Sequence, residues 1–462
     1  MYNTMQKLLL ISCLLFSGYS FSQNISKRLQ AAWSKFEKDP QLSNAIASLY
    51  VVDAKNGNVV FDKNSKIGLA TGSTLKVITA AAAYELLGKD FRYETKFGYV
   101  GTIKNRLLHG NFYLMTSGDP TFGSWRWKNT SDSSIFEYVL SAIKKLNITG
   151  FNGISIDDSG GNAETIPDGW MWQDVGNYYG AGAAGFNWRE NQFDIILKSG
   201  MQTGDPVSIV KTNPKSNASL VCQVKSAAKG SGDNSYVYYP LLENKGVVRG
   251  TIPVNENGFT IAASDPVPAK SFTTLFIENL KSRLKIDQTN YESSFTKDTA
   301  ILFSHHSPSL DSIIYWFLKK SINLYGEALV KTFSFQKSGF GETDKGIEYL
   351  KNFWKTKGII ASELNMVDGS GLSPLNRVTT HAQVMVLKYA KSQSWFAGYY
   401  DAFPEYNGMK MKSGTINDVK GFCGYQKSKD GNEYIFSFLV NNYNGSSSAI
   451  VQKMYKVLDE LK

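Results

Sequence analysis

The residues most able to do chemistry form three short motifs that follow one another along the chain. They are Ser73-Thr74-Leu75-Lys76, Ser321-Ile322-Asn323 and Lys412-Ser413-Gly414-Thr415. A serine and a lysine one helical turn apart face the same way, so the lysine amine can take the proton of the serine hydroxyl. An ordinary lysine is protonated at neutral pH, but burial beside a second cation lowers its pKa. Lys412 is the candidate for that cation, and the motifs together predict a serine acylation site.

The remaining motif residues fit the same chemistry. The backbone N–H groups of Ser73 and Thr415 would hold the oxyanion that forms when a carbonyl is attacked. Lys412, Ser413 and Thr415 would bind a terminal carboxylate of the substrate. Ser321 would relay a proton to the leaving amine.

Asn323 would orient both Lys76 and the substrate amide. Taken singly, each motif also has an ordinary structural explanation, because Ser73 could be a helix N-cap and the other motifs a turn and a strand entry. Their joint order and their contexts favour the catalytic interpretation.

Placement along the chain selects the first motif from several similar ones. Other Ser-x-x-Lys tetrads occur at Ser141–Lys144, Ser208–Lys211, Ser226–Lys229, Ser282–Lys285, Ser294–Lys297 and Ser334–Lys337. The first tetrad opens the segment Ser73–Leu87, which has almost no charge after Lys76 and ends at Gly88. A helix that is apolar on most sides is buried, and glycine commonly ends helices. Ser73 is therefore predicted to begin a buried central helix.

The two ends of the chain predict one antiparallel sheet covered by helices, an α+β fold. Ala45–Asp62 reads as a hairpin, and Val419–Gln426 and Tyr434–Asn441 read as a second one. Ser447–Lys462 reads as a helix with one apolar face. That face could lie on a membrane surface, but packing on the sheet is favoured because the helix directly follows the hairpin and the face lacks Trp and Phe. The face consists of Ile450, Met454, Val457, Leu458 and Leu461.

The middle of the chain has a different character and predicts an insertion. It is rich in Gly, Asn, Ser and aromatic residues, with short β-like runs at Lys96–Tyr99, Gly110–Met115, Gly153–Ile156 and Asp194–Leu197. We expect a catalytic domain made of residues 23–90 and 297–462. Residues 91–296 would form an inserted β-rich region, in which residues near 195–265 form an inner subdomain.

The N-terminus predicts export. Residues 1–22 read as a signal peptide, with Lys7 before the apolar run from Leu8 to Phe16 and small residues before Gln23. A lipoprotein site at Cys13 is disfavoured because the apolar run continues past it. No later stretch approaches the roughly 18 unbroken apolar residues of a membrane span. We therefore expect a periplasmic protein without a membrane span.

Composition adds weaker constraints. The chain has 462 residues, of which 42% are hydrophobic, enough for a large core, and a formal charge of +10. That charge fits an anionic cell wall, but no dense Lys/Arg run predicts a nucleic-acid face. Cys222 and Cys423 remain after signal removal. They could pair in an exported protein or be two buried free thiols.

The motifs and several longer runs resemble the class C low-molecular-mass penicillin-binding proteins, the D-alanyl-D-alanine carboxypeptidase/endopeptidase family related to penicillin-binding protein 4. The resemblance extends over nearly the whole mature chain. Besides the three motifs, the residues that carry it are Thr79–Ala82, Ser117-Gly118-Asp119-Pro120-Thr121, Ile156-Asp157-Asp158-Ser159, Gly169-Trp170, Ser307–Leu310, Glu327-Ala328-Leu329, Asp368-Gly369-Ser370-Gly371-Leu372-Ser373 and Gly424-Tyr425.

This resemblance implies a split transpeptidase-like domain with inserted small domains. It also implies cleavage of peptidoglycan stem peptides, acylation by β-lactams and no cofactor. By resemblance, Asp157 would reach from the insertion toward the amine of the stem peptide's diamino acid. The chain departs from the family at Ser413, usually Thr, at Ile322, often Asp, and at Pro374, often Arg, with Arg377 three residues later.

Other reaction classes leave weak traces. Gly180–Gly185 has dinucleotide-like Gly-x-Gly-x-x-Gly spacing but follows an aromatic, polar segment rather than an apolar strand. His305 and His306 would point to opposite faces of a strand, and no metal-binding motif supports them, so no metal is expected. Three hypotheses remain: an exported serine DD-peptidase, which the motifs favour, a serine β-lactamase, and a non-catalytic wall-binding protein of the same fold.

Overall fold

A computed structural model of the chain describes residues 25–158, 160–161, 164–216, 218–240, 245–289 and 299–462. The predicted signal peptide, with Cys13, lies outside the described residues. In the described ranges no helix has the length and apolarity needed to cross a membrane.

One six-stranded antiparallel sheet joins the two ends of the chain. Its strands, in spatial order, are β17 (Glu405–Tyr406), β18 (Met409–Ile416), β19 (Val419–Lys427), β20 (Glu433–Asn441), β1 (Ile46–Asp53) and β2 (Val59–Lys63). Both predicted hairpins are present. The first one turns at Gly57, whose φ of 76° is easy for glycine, and the Asp53 carboxylate accepts the N–H groups of Lys55 and Asn56.

Alternation along β1 sends side chains into two separate cores. Leu49 and Val51 face one core, and Tyr50 and Val52 face the other. The core around Tyr50 and Val52 contains helices α2 (Lys76–Leu87), α6 (Leu310–Lys319), α7 (Asn323–Ser338), α8 (Thr343–Thr356), α9 (Thr380–Lys391) and α10 (Phe396–Asp401).

The opposite face of the sheet is covered by α1 (residues 25–36) and α11 (Ser447–Leu458). All five residues of the predicted apolar face of the C-terminal helix are buried in this core. Each such side chain contributes about 1.5–3 kcal/mol when fully buried. The face packs on the sheet, so the membrane-surface alternative is wrong.

The inserted region is built on a five-stranded sheet. The order is β13 (Asp287–Gln288), β5 (Gly150–Asp157), β4 (Leu107–Met115), β3 (Glu94–Lys104) and β14 (Thr299–His306), with α3 (Asp132–Lys144) and α5 (Pro268–Asn279) in its core. The predicted boundary before residue 297 is wrong at this point. Thr299–His306 pairs with β3 in antiparallel register, so its hydrogen bonds place it in the inserted sheet.

Residues 192–264, close to the predicted inner subdomain at 195–265, form two smaller sheets around a core of their own. One contains β12 (Phe259–Ser264), β6 (Gln192–Lys198) and β7 (Ser208–Asn213). The other contains β10 (Asn234–Tyr238), β11 (Lys245–Pro253), β8 (Ser219–Cys222) and β9 (Lys225–Ala227). Two short elements complete the site region: α4 (Trp172–Val175) in the insertion and the pair β15 (Leu364–Asn365) and β16 (Arg377–Val378). Cys222 and Cys423 are free thiols in different sheets.

Candidate active site

Ser73 lies at the head of the central helix, as predicted, but in a tighter turn. Gly72–Leu75 forms a 3-10 turn, and the α-helix proper begins at Lys76 and ends before Gly88. The first helical residues up to Tyr84 are buried, which fits the almost uncharged sequence. The turn brings Nζ of Lys76 to 2.8 Å from Oγ of Ser73.

Lys76 is completely buried and has three polar neighbours. Besides Ser73, its Nζ lies 2.6 Å from Oδ1 of Asn323 and 2.7 Å from the backbone oxygen of Ser370. Burial, and after it the charge of Lys412, lowers the pKa of Lys76 well below its usual value. A neutral lysine has two N–H donors and one lone pair. Asn323 and Ser370 take the two donors, so the lone pair is left for the Ser73 hydroxyl.

Ser321 lies in the short connection between α6 and α7, and Asn323 lies where that connection enters α7. Ser321 has a left-handed backbone, with φ 59°, and its Oγ accepts a hydrogen bond from Nζ of Lys412 at 2.9 Å. Asn323 is the first residue of α7, and its Nδ2 donates to the backbone oxygen of Tyr179 at 2.7 Å. A side chain held in an uncommon backbone conformation at a cleft is typical of functional sites.

Lys412 lies on β18, beside the short edge strand β17, and its side chain is buried. Burial lowers the pKa of Lys412 to about 7. The following glycine allows the strand to touch the turn that carries Ser73. A Cβ atom at Gly414 would lie 2.2 Å from the oxygen of Thr71 and 2.9 Å from the nitrogen of Ser73.

The same close approach is seen from the other side. A Cβ atom at Gly72 would lie 2.6 Å from the nitrogen of Thr415. The backbone nitrogens of Ser73 and Thr415 are therefore neighbours across this contact, the arrangement expected of an oxyanion-binding pair.

A buried turn at Asp368–Ser370 contacts Lys76 through the backbone oxygen of Ser370. No role for this turn was predicted from the motifs. The Asp368 carboxylate accepts the N–H groups of Gly371 and Ser373 at 2.7 and 2.6 Å and the indole N–H of Trp170 at 3.0 Å. This network shapes the turn whose Ser370 carbonyl contacts Lys76. The sequence signal was the Asp-Gly-Ser-Gly-Leu-Ser run itself, which stood out as characteristic but without a chemical function.

The motifs open into a cleft of about 1010 Å³ between the sheet and the inserted region. The residues that line it from the motifs include Ser73, Ser321, Asn323 and Thr415. The inserted region supplies the opposite wall with Trp125, Asp174, Tyr178, Tyr179, Asp194 and Tyr236. Burial raises the pKa of both Asp174 and Asp194.

Asp157 does not lie in this cleft, contrary to the expectation from the resemblance. It ends β5 and lines a different cavity with Arg92, Glu94 and Lys96, where its carboxylate accepts the hydroxyl of Tyr113 at 2.5 Å. Its strand, β5, lies between β13 and β4 in the inserted sheet. Asp174, which the sequence analysis missed, is a carboxylate that the insertion does bring into the cleft.

The residues that depart from the family pattern lie in or near the cleft, except Arg377. Pro374 lines the cleft, whereas Arg377 lies at the surface and donates to the backbone oxygens of Pro374 and Asn376. Ile322 also lines the cleft. Ser413 is half-buried, and its backbone oxygen accepts from Nζ of Lys412 at 2.9 Å.

The features that hinted at other chemistry have structural roles. Tyr178–Gly180 forms a 3-10 turn at the start of the glycine-rich run, and it carries the carbonyl that Asn323 contacts. His305 is buried in β14, while the neighbouring His306 is exposed. Among the described residues there is no group of three or more His, Cys, Asp or Glu that could hold a metal ion.

Comparison with known proteins places this geometry in one family. Residues 29–461 match the D-Ala-D-Ala carboxypeptidase 3 (S13) family. The chain belongs to this family. The S13 family consists of serine peptidases, so the chain is a serine hydrolase, as predicted.

Individual relatives agree with the S13 assignment. The chain is 26% identical to a D-alanyl-D-alanine carboxypeptidase of Actinomadura sp. over 445 residues, covering 90% of this chain and 81% of the relative. It is 23% identical to the D-alanyl-D-alanine carboxypeptidase DacB of Haemophilus influenzae, with 85% of each chain covered. The crystal structure of penicillin-binding protein 4 from H. influenzae superposes with a TM-score of 0.77 at 21% identity, covering 92% of this chain and 98% of that one. The predicted α+β fold is confirmed.

Proposed function

We propose that this S13 chain is an exported DD-peptidase that cleaves the D-alanyl-D-alanine end of peptidoglycan stem peptides through an acyl-enzyme on Ser73. We also propose that it hydrolyses peptide cross-links and is acylated by β-lactams. The observation that carries the proposal is the hydrogen bonding of Lys76, whose two acceptors leave its lone pair for the Ser73 hydroxyl. Export rests on the signal-like residues 1–22.

In the proposed acylation, Nζ of Lys76 removes the hydroxyl proton as Oγ of Ser73 attacks the carbonyl carbon of the penultimate D-alanine. The negative charge that develops on the carbonyl oxygen is held by the backbone N–H groups of Ser73 and Thr415. A donor of this kind contributes roughly a hundred- to a thousand-fold to the rate of acyl transfer. The close backbone contact at Gly72 and Gly414 holds the N–H groups of Ser73 and Thr415 next to each other.

Departure of the terminal D-alanine requires a proton on its nitrogen. Ser321 can deliver it, because its Oγ is hydrogen-bonded to Nζ of Lys412, which replaces the proton. Water then takes the place of the leaving amine and hydrolyses the ester by the reverse route. It gives its proton through Ser321 to the now neutral Lys412, and Lys76 returns its proton to Oγ of Ser73 as the ester bond breaks. No cofactor is needed for these steps.

The terminal carboxylate of the substrate would bind beside Thr415. The Thr415 side chain is exposed and lines the cleft, and Lys412 lies three residues earlier on the same strand, β18. Below its pKa of about 7 Lys412 carries the positive charge that attracts this carboxylate. Ser413 keeps the hydroxyl of the usual threonine and completes the motif.

The volume of the cleft supports action on cross-linked peptides. At about 1010 Å³ the cleft exceeds what a D-alanyl-D-alanine dipeptide would fill, and its far wall carries Asp174 and Asp194. Carboxylates at this position suit the amine of a diamino acid. We therefore assign amine recognition to Asp174 rather than to Asp157.

Three assays test the proposal. Labelled penicillin should attach covalently to the wild type and not to Ser73→Ala, and the wild type should release D-alanine from a pentapeptide. Incubation with monomeric and cross-linked muropeptides then separates the two peptidase activities. Absence of labelling in the wild type, or equal labelling of Ser73→Ala, would refute the acyl-enzyme.

The same assays separate the two alternatives. A serine β-lactamase would turn over penicillin rapidly without hydrolysing the peptide. A non-catalytic wall-binding protein would bind muropeptides and neither react with penicillin nor release D-alanine.

A further inference from the structure

An arginine of the inserted region lies in the cleft near the connection that carries Ser321. Arg126 lines the cleft, and its Cζ lies 5.2 Å from the ring centroid of Trp316 on α6. Its ion-pair partner Glu190 accepts the hydroxyl of Tyr325 on α7 at 2.7 Å. Arg126 therefore contacts, directly or through Glu190, both of the helices that the Ser321 connection joins.

The ion pair with Glu190 holds the guanidinium of Arg126 in one orientation. Nε and Nη2 of Arg126 donate to the two carboxylate oxygens of Glu190 at 2.7 and 3.0 Å, and the hydroxyl of Ser124 donates to the same buried carboxylate at 2.7 Å. A guanidinium has five N–H donors, so donors remain beyond the two that Glu190 takes. Because Arg126 lines the cleft with a side chain that is 17% exposed, a ligand in the cleft can reach them.

The backbone that carries Glu190 is itself unusual. Arg189, Glu190 and Asn191 all have left-handed φ angles, of 55°, 54° and 50°. Side-chain amides fix this turn, because Oδ1 of Asn191 accepts the N–H of Trp188 at 2.9 Å. Uncommon backbone conformations that the surroundings enforce occur preferentially at ligand-binding and catalytic sites.

The position of Arg126 points to the leaving-group side of the cleft. In the proposed acylation Ser321 protonates the leaving nitrogen, so the leaving group lies next to Ser321. A terminal D-alanine has a single carboxylate, which is assigned to the neighbourhood of Thr415. In a cross-linked substrate the leaving group is instead a second stem peptide, which carries free carboxylates of its own. Lys320, exposed and also lining the cleft, adds a positive charge on the same connection.

We propose that Arg126 binds a carboxylate of the leaving stem peptide and so favours cross-linked substrates over pentapeptides. A planar guanidinium matches a carboxylate with parallel N–H donors, which a lysine ammonium cannot reproduce. The inference rests on the proposed acyl-enzyme at Ser73 and on the proposed cleavage of cross-links. It differs from a purely structural ion pair, which would affect both substrates alike.

The test is a ratio of two rates measured on the full-length protein: kcat/KM for a cross-linked muropeptide dimer divided by kcat/KM for a pentapeptide. Arg126→Lys keeps a positive charge beside Glu190 and loses the planar donor pair, so the ratio should fall about tenfold. Arg126→Gln should lower the ratio at least as much. The matched control is Arg283→Lys, because Arg283 also pairs with a glutamate, Glu137, at 2.5 Å but is not a residue that lines the cleft.

A second measurement does not depend on the folding of a variant. The wild type should cleave a dimer whose leaving stem peptide has carboxamides in place of its carboxylates about tenfold more slowly than the unmodified dimer. In Arg126→Lys the difference between the two dimers should be smaller. These results together would support binding of the carboxylate by Arg126.

The outcomes separate this inference from the proposed function. A wild type that takes no penicillin label refutes the acyl-enzyme and this inference with it. A labelled wild type that does not cleave the dimer overturns the role of Arg126 and leaves the acyl-enzyme intact. If the dimer is cleaved, equal rates on the carboxylate and carboxamide dimers, or a ratio unchanged in both Arg126 variants, would likewise overturn that role.

Discussion

The side-chain amide of Asn323 connects the inserted region to Lys76. Its Nδ2 donates to the backbone oxygen of Tyr179 at 2.7 Å, and its Oδ1 lies 2.6 Å from Nζ of Lys76. A primary amide has one donor end and one acceptor end. The contact with Tyr179 therefore decides that the acceptor end faces the lysine, and the insertion takes part in orienting the proposed base.

Asn323→Asp should lower the rate of penicillin acylation at neutral pH by about a hundred-fold or more. The carboxylate has the same shape, but it repels the Tyr179 oxygen and raises the pKa of Lys76 by placing a negative charge beside it. The measurement is the labelling rate at constant penicillin concentration. Asn129→Asp, at an exposed position, is the control and should react like the wild type. Equal rates for both variants would contradict the orienting role.

Gly414→Ala should reduce acylation by about a hundred-fold or more while the protein stays folded, because the methyl group would push the strand away from the nitrogen of Ser73. Gly258→Ala is the matched control, since its added Cβ would have no neighbour within 4 Å. Labelling rates and circular dichroism of the two variants provide the comparison. An unimpaired Gly414→Ala would mean that the backbone contact does not set the oxyanion site.

Lys412→Met should change how stability depends on pH. The pKa of Lys412 is about 7 in the folded protein and near its ordinary value when unfolded. Between these values the unfolded chain binds a proton that the folded chain lacks, so the wild-type free energy of unfolding rises with pH across this window. The contribution of Lys412 is complete above the ordinary pKa of lysine and is fully lost once the pH has fallen to about 7.

The variant lacks this contribution. The slope of the wild type should exceed that of Lys412→Met by up to about 1.4 kcal/mol per pH unit. Urea unfolding at several pH values between about 7 and 9 measures both slopes. Parallel curves would show that Lys412 keeps an ordinary pKa in the folded protein.

Asp174→Asn and Asp157→Asn should show which of the two carboxylates of the insertion binds the amine of the stem peptide. Asp174 lines the cleft and Asp157 does not. We expect Asp174→Asn to raise KM about tenfold or more for stem peptides with a free side-chain amine, since loss of a charge-assisted hydrogen bond costs about 1.5–3 kcal/mol. Peptides in which that amine is acetylated should show little change.

Asp157→Asn is the internal control and should leave both KM values as in the wild type. If Asp157→Asn alone weakened binding of the free-amine peptide, the assignment of Asp174 would be wrong. Asp157 would then be the residue that binds the amine, as the resemblance implied.

The sequence was sufficient to predict the helices and strands that are marked by nearby residues. Gly88 marks the end of the central helix, and alternation in the hairpins marks both ends of the sheet, because periodicity and glycine act over a few residues. The motifs also predicted the pairs Ser73 with Lys76 and Asn323 with Lys76, which the structure places within hydrogen-bonding distance. They did not predict the contact of Lys412 with Ser321.

Contacts made by backbone atoms were not accessible in this way. The carbonyls of Tyr179 and Ser370 accept hydrogen bonds from Asn323 and Lys76, but a carbonyl is present at every residue and leaves no trace in residue type. Asp157 was misplaced for a related reason. Its strand was predicted correctly, but the position of that strand in the inserted sheet depends on pairing between distant segments.

The pairing of Ile46–Asp53 with Glu433–Asn441 has a consequence for when the protein becomes reactive. These neighbouring strands come from opposite ends of the sequence, and contacts of such long separation form late and slowly during folding. Lys412 reaches Ser321 only on a strand of the same C-terminal group. A nascent chain that already contains Ser73 therefore lacks the contact between Lys412 and Ser321 until the C-terminal strands have joined the sheet.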